Sequence, residues 1–245
     1  MRSIIPLLLI LLLAWSSTSA QLGYSIVGPL SKAAFDCLGT SSRQATGHDP
    51  FVFFRIYKVS GTPGVDPNAA QALANARASS VAFGILSYIE VCRSADSSVV
   101  RNTLVQAFNP PIFDSIWIKV EPNSTPGCSW EGFSQTDNCA YITEFYQALF
   151  NAFSVEGVSI GIFSTASIWK KFFGSSCNLF GEYGVSLWYA HYGSNGKIDS
   201  TQSFDDFVPF GGFMPYFKQI GGSVHISLCN NPNWKVIVDT LYTSY

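Results

Sequence analysis

The chain has 245 residues, of which 47% are hydrophobic, 15% aromatic and only 12% charged. Its 14 basic and 16 acidic residues give a net charge of −2 with no basic block, which excludes nucleic acid or anionic lipid as the main partner. So apolar a composition at this length fits one domain with a large core.

At the start, Arg2 precedes an apolar run from Ile4 to Trp15, and small residues follow from Ser16 to Ala20. This is the pattern of a secretory signal peptide over residues 1–20, too short and too well terminated to be a spanning helix. No later stretch is long and apolar enough to cross a bilayer. The expected mature chain is therefore residues 21–245, a monomer that is secreted or held in the lumen of the secretory or lysosomal pathway.

Phe51-Val-Phe-Phe-Arg-Ile-Tyr57 has the apolar, β-branched and aromatic character of a buried strand. Asp66-Pro67 supplies an N-cap and a proline for a helix that runs to about Ser79. A strand is expected over Val81–Val91, a helix over Asp96–Phe108 and a strand over Ile112–Glu121. Between Asp137 and Glu156, Tyr141, Ile142, Phe145, Tyr146, Leu149, Phe150 and Phe153 follow a period of about 3.6 residues, which marks a helix. Gly157 ends it. Val158–Phe163, Val185–Tyr189 and shorter runs near Phe217 and Val224 supply the remaining strands. Several strands are apolar throughout, as parallel strands covered on both faces must be. The expected fold is a single-domain α/β structure, an irregular β/α barrel.

The six cysteines, Cys37, Cys92, Cys128, Cys139, Cys177 and Cys229, are expected to form disulfides in an exported protein. Of the fifteen pairings they permit, a local Cys128–Cys139 bridge around a Gly-containing loop is favoured. There is no CxxC pair or histidine cluster for zinc, and no phosphate loop or nucleophile elbow; neither metal nor cofactor is expected. Asn123-Ser-Thr is a glycosylation sequon.

Barrel strands present their chemistry at their C-terminal ends. Those ends carry Arg55 with Tyr57, Tyr88 with Glu90, Lys119 with Glu121, Ser164 with Thr165, Trp188 with Tyr189 and His191, and Gln219. Trp117, Lys119 and Glu121 share one face of their strand. Aromatic rings beside a few polar groups suit a carbohydrate cleft, with Tyr57, Tyr88, Glu90, Trp188, Tyr189 and His191 as candidate binding residues. For Trp188 or Tyr189 taken alone, burial in the core is the favoured reading. Glu121 is the candidate acid, and a Lys119–Glu121 ion pair that merely closes the barrel mouth is the competing reading.

Several blocks carry a resemblance. Arg55-Ile-Tyr57, Val65-Asp-Pro-Asn-Ala69, Ala74-Asn-Ala-Arg-Ala78, Ile160-Gly-Ile-Phe-Ser-Thr-Ala-Ser-Ile-Trp169, Leu187-Trp-Tyr-Ala-His-Tyr192 and Phe207-Val-Pro-Phe-Gly-Gly212 resemble the glycoside hydrolase family 25 lysozymes, most closely the nematode-type (Ch-type, or Chalaropsis-type) members. The blocks run in the family's order along nearly the whole mature chain. The resemblance implies an irregular β/α barrel that cleaves the N-acetylmuramic acid to N-acetylglucosamine linkage of bacterial peptidoglycan, in innate defence or bacterial digestion.

The same resemblance implies a damaged site. The family's first strand reads Val-Asp-Val-Ser, and Gly23-Tyr-Ser-Ile-Val27 puts Ser25 at its aspartate. The central strand ends Asp-x-Glu, where this chain has Lys119-Val-Glu121. A general acid must hold its proton, whereas a neighbouring ammonium favours the ionised form of a carboxyl. Positive charge also opposes an oxocarbenium-like transition state. Glu90 or Asp114 could compensate, although Asp114 is expected near the strand's other end. The leading expectation is a peptidoglycan-directed protein with impaired hydrolysis. The alternatives are a working muramidase with a rearranged partner for Glu121, and a chitinase-like barrel in which Asp114 and Glu121 fill the first and last positions of Asp-x-x-Asp-x-Asp-x-Glu.

Overall fold

The computed structural model describes residues 23–26, 30–59, 62–122, 128–179, 184–192, 197–198, 200–201, 203–221 and 241–242. The expected signal peptide, the Asn123 sequon, Cys229 and the strand expected near Val224 lie outside them.

The chain alternates strand and helix, with helices over Lys32–Thr46 and Ala166–Phe172 in addition to those expected from the sequence. In order come β1 (Gly23–Ile26), α1 (Lys32–Thr46), β2 (Phe51–Lys58), β3 (Gly64–Val65), α2 (Ala69–Arg77), β4 (Gly84–Glu90), α3 (Ser97–Ala107) and β5 (Ser115–Lys119). They are followed by α4 (Gln135–Phe153) with a 3₁₀ turn (Ser154–Glu156), β6 (Ser159–Ser164), α5 (Ala166–Phe172), β7 (Ser186–Ala190), β8 (Met214–Gln219) and β9 (Leu241–Tyr242). Strands β1, β2, β4, β5, β6, β7 and β8 pair in parallel in that order; β3 and β9 add antiparallel pairings to β2 and β8.

The sheet is strongly curled. In a flat sheet β2 and β8 would lie about 24 Å apart, five spacings of about 4.8 Å. Instead, the Phe51 and Phe217 rings on these two strands meet with centroids 5.2 Å apart. The α/β barrel-like single domain expected from the sequence is therefore present as an open half-barrel: among the described residues the ladder ends at β1 and β9.

Strand alternation divides the core in two. Phe51, Phe53, Trp117, Phe163, Trp188 and Phe217 fill the concave interior, with the Phe53 and Trp188 rings 4.3 Å apart. Their neighbours in sequence, among them Val52, Ile116, Ile118, Ile162 and Leu187, face the helices on the convex side. Both faces are dry, which explains strands with no polar alternation.

Helix ends follow local chemistry. Ser134 caps α4 by accepting from the Asp137 amide at 3.0 Å, and its hydroxyl donates to Asp137 Oδ2 at 2.7 Å. Gly157 takes the left-handed conformation that ends the following turn, with φ 77°. The start of α2 differs from expectation. Its N-cap is Asn68, while Asp66 accepts from the Asn68 amide through Oδ1 and from Arg55 through Oδ2. A carboxylate that already neutralises a strand arginine is displaced from the capping position.

The expected Cys128–Cys139 bridge is not formed. Cys128 pairs with Cys92 just beyond β4, and Cys139 on α4 pairs with Cys177. Cys128 and Cys139 are close in sequence, but the first turn of α4 carries Cys139 towards the segment after α5. Cys37 is also disulfide-bonded. No helix among the described residues is long and apolar enough to cross a membrane.

Candidate active site

The C-terminal end of β5 carries Lys119, the register partner of Glu90 on β4 and of Phe163 on β6. The lysine belongs to the concave face, continuing the alternation of Ser115 and Trp117. Its ammonium sits 5.5 Å from the centroid of the Tyr88 ring and 5.4 Å from that of Phe163, a cation over two aromatic faces. The same Nζ lies 3.0 Å from Glu121 Oε2, and the two side chains remain 27% and 39% exposed. The main chain is held too: the Val120 amide donates to the Phe163 carbonyl at 2.9 Å, and Trp130 Nε1 donates to the Glu121 carbonyl at 3.1 Å. Glu121 thus stands at the barrel mouth with a lysine as its fixed neighbour.

The carboxylate that could have compensated is occupied. Glu90 Oε1 accepts from Arg55 Nη1 at 3.0 Å, and its Oε2 accepts from the Val59 amide at 3.2 Å. Arg55 also holds Asp66, itself buried, at 2.8 Å. Burial works against the Arg55 charge, but hydrogen bonds to Asp66 and Glu90 outweigh it and raise its pKa further. Asp114 is at the opposite end of β5, where its Oδ2 accepts from the Ile85 amide at 3.0 Å. There it lines a cavity of about 340 Å³ with Ser115, Trp117, Ser159 and Tyr216. That cavity opens among strand N-terminal ends, away from where barrels place reacting groups.

Other expected site residues lie deeper. Ser25 is buried on β1 as the register partner of Phe53. Tyr57 is buried in the helix-side core, and burial raises its pKa. Tyr88 and Trp188 are buried in the concave core, and the Trp188 indole N–H has no hydrogen-bond partner among the described residues. Tyr88 and Phe163 lie beneath the Lys119 ammonium, and Trp188 packs behind them against Phe163; at 4% and 1% exposure Tyr88 and Trp188 offer no open ring face for stacking.

Tyr189 and His191 belong to the other side of β7. They meet at Asp206, whose Oδ1 accepts from Tyr189 at 2.9 Å and whose Oδ2 is 2.7 Å from His191 Nδ1. Lys218 on β8, with side-chain exposure of 0%, completes the cluster at 2.8 Å from Asp206 Oδ1 and donates to the Ser203 carbonyl at 3.1 Å. Burial alone would raise the Asp206 pKa, but the Lys218, Tyr189 and His191 contacts hold it below the usual aspartate value. Sequence reasoning missed Asp206 and Lys218. The signal was a lone lysine inside Pro215-Tyr-Phe-Lys-Gln219: a cation in an apolar strand requires a buried carboxylate. Among the described residues no group of three or more His, Cys, Asp or Glu could hold a metal ion.

The sequence matches the family described as Lysozyme-like protein 1 over residues 16–220. Counting factor 45-1 of Dictyostelium discoideum is 28% identical over 236 residues, covering 91% of this chain and 70% of its own length. Probable GH family 25 lysozyme 2 of the same organism is 29% identical over 206 residues, covering 82% and 84%. Among solved structures, a muramidase from Acremonium alcalophilum superimposes with a TM-score of 0.63 at 15% identity, over 92% of this chain and 93% of that one. A family GH25 lysozyme from Aspergillus fumigatus gives 0.60 at 14% identity, over 92% and 95%. At such identities the structural likeness speaks for the fold.

Proposed function

The chain belongs to the glycoside hydrolase family 25 lysozyme-like proteins, and from that premise we propose that it is a secreted protein that binds bacterial peptidoglycan without hydrolysing it, in innate defence or bacterial digestion. Within the family, the block Leu187-Trp-Tyr-Ala-His-Tyr192 and its companions favour a place near the nematode-type members.

One observation carries the reading: Lys119 Nζ lies 3.0 Å from Glu121 Oε2, a cation at the position that the resemblance gives to a carboxylate. Glycoside hydrolysis uses two carboxyl groups about 5–9.5 Å apart, one to protonate the leaving oxygen and one to act on the opposite face of the sugar. Here Glu121 Oε2 is instead ion-paired with the Lys119 ammonium. The cation also adds positive charge where the sugar itself becomes cationic. Glu90, fixed by Arg55 and the Val59 amide, does not supply the missing base. The chitinase-like alternative fares no better, because Asp114 is bound to the Ile85 amide at the far end of the strand.

The test incubates the mature, disulfide-intact protein with bacterial peptidoglycan from acidic to neutral pH. Sedimentation follows binding, mass spectrometry follows soluble muropeptides, and Glu121→Gln runs in parallel. The expected result is co-sedimentation without muropeptides from either protein. Release that depends on Glu121 would instead establish a working muramidase in which Ser25 and Lys119 have been compensated.

A further inference from the structure

The strand parity that brings Lys119 and Glu121 to the concave mouth sends Tyr189 and His191 to the opposite side of β7. There a cavity of about 270 Å³ opens between the start of α5, the end of β7 and the segment around Asp206. We propose that this rim cavity is a second saccharide site that takes one N-acetylated hexosamine ring. The proposal rests on the reading that the protein binds cell-wall glycan, and adds a place and a ligand class to it.

Charge narrows the ligand first. Asp206, the carboxylate that lines the cavity, is neutralised by the buried Lys218 at 2.8 Å. A strongly ionic ligand finds no unbalanced counter-charge there, so the site suits a neutral one. The walls narrow it further. Phe207, Val208 and Phe210 give an apolar side, while Thr165, Ser167 and His191 give hydroxyls and an imidazole. An acetamido sugar has matching chemistry, with a methyl group for the apolar recess and an amide and hydroxyls for the polar one. Size sets the number of rings: the volume falls just below the roughly 300 Å³ at which drug-sized pockets begin, enough for one ring but not an oligomer.

Two further features suit a binding site better than a packed seam. Val208 remains 69% exposed and Tyr192 48% exposed, leaving apolar and aromatic surface at the rim open to solvent. The His191 ring is held by Asp206 at 2.7 Å, and Asp206 is held by Tyr189 and Lys218, so the imidazole is oriented before any ligand arrives. Preorganisation of this kind reduces the entropy lost on binding.

Calorimetry of the mature, disulfide-intact protein with N,N′,N″-triacetylchitotriose and with cellotriose tests the site, alongside peptidoglycan sedimentation. The rim variants are Val208→Asp and Ser167→Trp, both at exposed positions, and Val155→Asp, on the exposed 3₁₀ turn before β6, is the control away from the rim. We expect chitotriose to bind about tenfold or more tighter than cellotriose, each rim variant to weaken chitotriose by about tenfold, and Val155→Asp to stay within about twofold. Sedimentation without chitotriose binding overturns the rim site and leaves glycan binding standing. Chitotriose binding that survives both rim substitutions, or fails to discriminate against cellotriose, does the same. Loss of both chitotriose and peptidoglycan binding in the unaltered protein overturns the two readings together.

Discussion

Replacing Asp206 with asparagine keeps the shape of the side chain and removes its charge, leaving Lys218 as a cation with 0% exposure. The lysine would retain the Ser203 carbonyl at 3.1 Å but lose its counter-charge. Breaking a buried ion pair from one side costs about 3–5 kcal/mol. Asp206 is itself 17% exposed, so water can relieve part of the loss and the lower end, about 3 kcal/mol, applies. For a domain of this size that lowers Tm by about 6–12 °C. Urea unfolding followed by tryptophan fluorescence, with disulfides intact, measures it. Adding Lys218→Met to Asp206→Asn removes the stranded charge and should recover part of the loss. A single-variant cost below about 0.5 kcal/mol, or strict additivity in the double variant, would refute the account. The pH dependence has a definite sign. Because the folded Asp206 pKa lies below its ordinary value, its contribution is fully present above about pH 4 and is lost as pH falls through the lower, folded value. Asp206→Asn should lack that acid step.

Four other outcomes are expected. Ser25→Asp with Lys119→Asp removes the ion pair and places a carboxylate at both positions, and should release muropeptides from peptidoglycan by mass spectrometry; no release would refute the role proposed for these two positions. Gly161→Ala puts a Cβ into the Trp117 ring and should cost about 1–3 kcal/mol in urea unfolding, whereas a neutral result would show that the concave core can give way. Removing Cys139–Cys177 as a Cys139→Ala/Cys177→Ala pair opens a 38-residue separation and should cost about 2–4 kcal/mol by the same assay. Arg55→Met strands Asp66 and frees Glu90, and should cost about 3–5 kcal/mol without creating hydrolysis, measured by unfolding and muropeptide release together.

Strands such as Phe51–Lys58 and the helix Gln135–Phe153 were legible because their apolar pattern is long and of one period. Helix α1 was not: Leu38-Gly-Thr-Ser-Ser-Arg43 is weak in helix propensity, and its packing against the sheet, with Ser31 and Gly47 as caps, outweighs that. The Lys119–Glu121 pair could be read from strand parity, since residues two apart share a face. The Arg55–Glu90 contact spans 35 residues, and the solitary strand cation Lys218 takes its carboxylate, Asp206, from a loop 12 residues earlier. Such pairings depend on which segments become neighbours, and no local pattern encodes that. The cysteine pairing failed for the same reason: closeness in sequence favoured Cys128 with Cys139, while helix direction sent each to a more distant partner.

The two disulfides whose partners both lie among the described residues enclose consecutive stretches, Cys92 to Cys128 and Cys139 to Cys177. The first holds α3, β5 and Glu121; the second holds most of α4, together with β6 and α5. A single protease cut inside either stretch opens the backbone yet leaves both pieces covalently joined. A nicked molecule would therefore keep its full mass on a non-reducing gel and separate into fragments only after reduction. Damage to the central third of the chain need not mean loss of its parts.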